Sequence, residues 1–200
     1  MRSEPPLRLG GRAASHVHSK TKIAEVRVNK LAVNIISTFL TILLCILGVL
    51  LAHLLPHYRA FAEWQAVALL ICLILLLPVH EALHAVGLSI FAQVSWRDLK
   101  FGVMWRALMP YCHCTVPISV AAYRRMALLP LWITGGFSLV ALLAFPTDCL
   151  GILLGVAVAS CIGDVWMVSK LRPFAGDLFV QDSPSDIGCD VLSSIPERVT

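Results

Sequence analysis

A chain of 200 residues with 58% hydrophobic and 14% charged side chains and a mean hydropathy of +0.81 is far from the about 25% charged content of soluble domains. That composition excludes an ordinary water-soluble enzyme and predicts an all-α integral membrane protein. The net charge of +4 comes from basic residues beside apolar runs, where they set topology and meet anionic headgroups; no nucleic-acid partner is expected.

Residues 1–30 form a basic N-terminal segment. Pro5, Pro6, Gly10, Gly11 and few apolar groups predict disorder over 1–25. The polar stretch is too long, and the next apolar run too extended, for a cleaved signal peptide. Apolar runs then follow at Leu31 to Leu55, Trp64 to Ala92, Met126 to Phe145 and Cys149 to Val168. Each has room for the ~20 residues that a helix needs to cross the hydrocarbon core. Pro146-Thr147-Asp148 supplies the turn between the last two. The reading is a membrane domain of four transmembrane helices over 31–170, flanked by the N-terminal segment and a tail over 171–200.

Of sixteen Lys and Arg, seven lie in residues 1–30, five between Gln93 and Arg125, and three from Lys170 onward; only Arg59 falls on the other side. Both termini and the central loop are therefore expected in the cytoplasm of a bacterial cell, with the protein in its cytoplasmic membrane. Seven cysteines, an odd number, do not suggest a disulfide framework. Cys45, Cys72, Cys149 and Cys161 read as small residues within or at the ends of apolar helices.

The second run contains His80-Glu81-Ala82-Leu83-His84, an H-E-x-x-H motif on a predicted helix. Spacing of i, i+4 stacks both imidazoles on one face, where their nitrogens can close on one Zn²⁺ at about 2.0–2.1 Å. Glu81, about a quarter-turn away, is placed to take a proton from a water activated there. Ionisable groups within a membrane helix are costly and mark function by default. Gly87 falls on the same face and leaves room for a backbone or substrate. Pro78 removes one helix hydrogen bond and can kink the chain just before the motif.

A catalytic zinc commonly takes three protein ligands. The metzincin position for a third His is Ile90, which excludes that class. Asp164 is the other ionisable group deep in an apolar run. It lies 15 residues after Cys149, as His80 lies 16 after Trp64; at ~1.5 Å per residue both sit ~23 Å below the outer surface. A helix-end hydrogen bond beside Lys170 is the alternative role for Asp164. His113 and Asp182 stay open as other third ligands.

In the loop, Phe101 to Cys114 reads as a short β-hairpin or re-entrant segment around Gly102 and Pro110. Cys112, His113 and Cys114 offer a second metal site, a redox sensor or plain packing. In the tail, Asp182 and Asp186 read as capped solvated turns, with Asp182 also able to reach the histidines.

His80 to Gly87, Tyr111 to Cys114, Gly163-Asp164 and Gln181 to Val191, in that order, resemble the bacterial family of zincin membrane peptidases and, more distantly, site-2 proteases, which cut transmembrane helices. The resemblance implies a zinc peptidase with His80 and His84 as ligands, Glu81 as acid/base and Asp164 as third ligand. Gly163-Asp164-Val165 departs from the longer motif in which site-2 proteases usually carry that aspartate. The expected function is a zinc-dependent intramembrane metalloprotease acting on membrane proteins or peptides. The alternatives are a non-enzymatic membrane metal-binding protein and a membrane zinc hydrolase of a non-peptide substrate.

Overall fold

The structure, a computed structural model, describes residues 22–104, 109–183 and 188–193. Helix α1 (Lys30–Leu54) starts where Asn29 accepts from the Leu31 and Ala32 amides, satisfying two of the donors that a helix start leaves free. Helix α2 (Glu63–Phe91) runs unbroken through Pro78. The third long helix opens as α3 (Val120–Pro130), capped by Ser119 on Ala122. It continues through a π-helical turn, Leu131–Gly135, into α4 (Gly136–Ala144). The fourth comprises α5 (Asp148–Ser160), capped by Thr147 on Leu150, and α6 (Ile162–Leu171), with a break at Cys161.

The described residues thus hold four helices long and apolar enough to cross a membrane, matching the four apolar runs. The third begins at Val120 rather than at the expected Met126. Arg124 and Arg125 masked that start, yet Arg124 is used inside the fold: its guanidinium donates to the Leu171 and Phe174 carbonyls at 2.5 and 2.6 Å. These tie the C-terminal end of α6 to α3.

Glycines bring α1 and α5 into backbone contact. A Cβ at Gly48 would collide with the Gly151 carbonyl, and one at Gly155 would lie 2.5 Å from the Cys45 amide. Gly151 and Gly155 are spaced as G-x-x-x-G, the pattern that lets helices approach without side chains between them.

The expected hairpin is present: β2 (Leu99–Met104) pairs antiparallel with β3 (Met109–Cys114), with Lys100 opposite His113 and Phe101 opposite Cys112. The all-α expectation is corrected by a second, four-stranded sheet. Its members are β1 (Lys22–Arg27), β4 (Ile118–Ser119), β5 (Phe179–Asp182) and β6 (Gly188–Leu192), in the order β1-β6-β5-β4. Residues 22–25, expected to be disordered, are in β1; the rest of that stretch lies outside the described residues, as does Asp186. β1 is strand because Ala24 and Val26 face inward while Lys22, Glu25 and Arg27 remain at the surface, and it pairs antiparallel with β6. Asp182 is likewise a strand residue rather than a turn.

Val26, Val180, Cys189 and Val191 bury one sheet face against Leu88, Met126 and Leu171. The core therefore sits where this sheet meets the helix ends. Elsewhere the helices present exposed apolar side chains such as Phe39, Ile74, Trp132 and Phe137.

Candidate metal centre

His80 and His84 occupy successive turns of α2, and both are buried. Their Nε2 atoms lie 3.1 Å apart, with the rings edge to face at 4.7 Å between centroids. From the other side α6 brings Asp164, whose Oδ2 is 3.2 Å from His80 Nε2 and whose Oδ1 is 3.4 Å from His84 Nε2. The expected level match between Asp164 and the histidines is realised as direct approach. Residues 80 positions apart in the chain meet because α2 and α6 both pack on α3.

These separations test the fit to a metal. Two ligands at ~2.0–2.1 Å from a tetrahedral ion sit ~3.3–3.4 Å apart, close to the 3.1, 3.2 and 3.4 Å found between the three side chains. Asp164 Oδ2 approaches His80 at 3.2 Å without a well-formed hydrogen bond, and His84 Nδ1 makes none either. Buried polar atoms are rarely left in this way. Two imidazoles and a carboxylate form a donor set suited to zinc, with a fourth position left for water or substrate.

Cys161 is a residue that the sequence reading assigned to packing. Its thiol lies within 4.8 Å of ligand atoms on both His80 and Asp164. Cys161 precedes Asp164 by three residues, a helical spacing that could have drawn notice. Its contact with His80 is at Nδ1, 4.0 Å away, and it donates to the Ala157 carbonyl at 3.4 Å. One imidazole does not offer Nδ1 and Nε2 to the same ion. The thiol backs His80, while His84 shares the Nε2 side with Asp164.

Glu81 is half-buried on the next face of α2, and the Cys112 amide of β3 faces its carboxylate. The neighbouring β3 amide, that of Cys114, donates to Asp182 Oδ2 at 3.0 Å. His113 Nδ1 lies 3.7 Å from the same oxygen. Asp182 therefore braces β3, and the structure brings Asp164, not His113 or Asp182, into the pair of histidines. Burial raises the Asp182 carboxyl, against the lowering effect of the Cys114 amide.

Among the described residues Cys112, His113 and Cys114 join no second metal-capable cluster. Burial and then the Glu81 and Asp182 charges push the Cys112 thiol up to about 12, so it stays protonated and is a poor ligand or nucleophile. The room expected at Gly87 is filled by α3: a Cβ there would meet Met126 Cα at 3.1 Å. A cavity of about 190 Å³ lined by Arg59, Trp64, Cys72 and Phe145 contains none of these groups. It lies at the opposite end of the helices from the histidines.

Residues 73–177 match the model of one protein family, described as "Putative zincin peptidase". No curated protein and no solved structure matches the chain. The matched span runs from within α2 to just past α6 and contains His80, Glu81, His84, Cys161 and Asp164; over more than half its length, therefore, the chain belongs to the zincin peptidase family.

Proposed function

We propose that the protein is an intramembrane zinc metallopeptidase that hydrolyses peptide bonds of membrane-embedded substrates, with His80, His84 and Asp164 holding the metal and Glu81 as the catalytic acid/base. The observation that carries this reading is the convergence of two Nε2 atoms and a carboxylate from two helices, edged at 3.1–3.4 Å, beside a half-buried glutamate. When bound, Zn²⁺ lowers the pKa of a coordinated water toward ~7 and polarises a carbonyl.

Glu81 takes the proton from water and returns it to the leaving amine. The Cys112 amide facing its carboxylate holds the group in position for both transfers. Substrate must arrive extended, because a helix keeps its carbonyls hydrogen-bonded and shielded. The edge of β3 beside the site turns its Cys112 and Cys114 amides to Glu81 and Asp182, so it anchors those carboxylates rather than a substrate strand.

Exposed apolar faces on all four long helices support a bilayer setting, since water would penalise them by ~25 cal/mol per Å². The distribution of Lys and Arg orients both termini, the hairpin and the sheet toward the cytoplasm.

The test pairs metal analysis with turnover. Purified wild type and Glu81→Gln should each carry one zinc, with cleavage of candidate membrane-protein substrates reduced ~10²–10⁴-fold in the variant. Wild type that binds no zinc would overturn the proposal.

A further inference from the structure

An imidazole that binds a metal through Nε2 must keep its proton on Nδ1, and an acceptor for that proton fixes the tautomer and the ring plane. His84 Nδ1 is buried and makes no well-formed hydrogen bond. The Met126 carbonyl, on α3, lies within reach of the His84 ring, and because Nε2 is turned to Asp164 and His80, Nδ1 is the nitrogen left to meet it. In an uninterrupted α-helix this carbonyl would accept from the amide four residues on. That residue is Pro130, which has no N–H. The next amide, that of Leu131, is turned to Leu128. A proline ring also crowds the carbonyl four residues before it and tilts it off the helix axis.

Two more features fit. Gly87 stands one turn beyond His84 on the same face and lets Met126 approach to where a Cβ would be 3.1 Å from its Cα. Pro130 is fully buried within the long third helix. The other helix proline, Pro78, frees the Ile74 carbonyl, six residues before His80 and on a face whose side chain is largely exposed; it offers the site nothing.

We infer that Pro130 is a positioning residue: it withholds the helix hydrogen bond of Met126 so that the Met126 carbonyl can accept the Nδ1 proton of His84 and hold that ring for zinc. This rests on the metal-site reading above and concerns a residue remote from the H-E-x-x-H motif. Pro130 touches neither substrate nor the reacting atoms.

The decisive variant is Pro130→Ala, which restores an amide four residues after Met126. Zinc affinity, read by chelator competition on the purified full chain, should fall ~10–100-fold. The zinc-free variant should unfold at or above the wild-type midpoint, because alanine is the better helix former. A merely structural proline would give the opposite pattern or none. In zinc-loaded wild type, ¹⁵N spectra of labelled histidine should show His84 protonated and hydrogen-bonded at Nδ1, with Nε2 bound to metal. Folded Pro130→Ala with wild-type zinc affinity would overturn the inference. Should that variant fold poorly, metal at Nδ1 or an Nδ1 proton without a hydrogen bond in the wild-type spectrum would overturn it. Wild type without zinc would bring down the metal-site reading itself, a different result from zinc bound equally by both proteins.

Discussion

His80, Glu81 and His84 were legible as a unit because one α-helical period fixes their relation, and α2 preserves it through Pro78. Asp164 was legible only as a matching depth, because its azimuth depends on how α6 packs against α3. Cys161 was read as ordinary packing because a single thiol in an apolar helix usually is; its place behind His80 comes from the break between α5 and α6. That placement makes a prediction at this scale. Cys161→Ser should retain stoichiometric zinc, whereas Asp164→Ala should lose it. The cobalt-substituted wild type should show no sulfur-to-metal charge-transfer band. Such a band, lost in Cys161→Ser, would make the thiol a ligand and displace His84 or Asp164 from that role.

At the scale of elements, hydrophobicity alone announced the four long helices, but not what interrupts or joins them. Pro130, the π turn after it and the break at Cys161 all lie in helices whose ends face the site. The α1–α5 contact was readable in principle from Gly151 and Gly155, although the partner surface around Gly48 was not. Replacing Gly155 with leucine would drive a side chain into the Cys45 backbone, and overpacking of this kind costs about 1–3 kcal/mol. Gly155→Leu should lower the thermal midpoint in detergent while leaving His80, His84 and Asp164 in place. An unchanged midpoint would mean that α1 and α5 do not pack through these glycines.

Across the whole molecule, the four-stranded sheet is what makes one body of segments that read as a loose N-terminus, a loop and a tail. Because β1 precedes α1, β4 follows α2 and β5–β6 follow α6, all three segments lie on one side of the helices. Charge secures the junction: Arg27 Nη2 meets Asp190 Oδ1 at 2.6 Å and Lys22 Nζ meets Oδ2 at 3.0 Å. Burial tends to raise the Asp190 carboxyl, but hydrogen bonds from Lys22 and Arg27 outweigh it and hold the pKa below the ordinary value. A depressed carboxylate stabilises fully above its unfolded pKa of ~3.9 and loses that contribution as pH falls through the folded value. The Arg27–Asp190 pair is partly exposed, so its share is modest, about 0.2–1 kcal/mol. Hydrogen-exchange protection of the β1 amides should therefore drop between pH 6 and pH 3, after correction for intrinsic rates. Asp190→Asn should abolish most of that drop; an equal drop in the variant would assign it to other groups.

By itself the sequence determined the membrane-type helices, their number, the H-E-x-x-H face and the level of its partner, because each depends on local period or on distance along a helix. Tertiary structure alone decided the rest. It brought Asp164, rather than His113 or Asp182, against the histidine pair, and it gave the Gly87 face to Met126. It also drew residues 22–27, 179–182 and 188–192 into one sheet. Those outcomes depend on which helix faces meet and which strand edges find partners, and both are settled by packing between segments far apart in the chain.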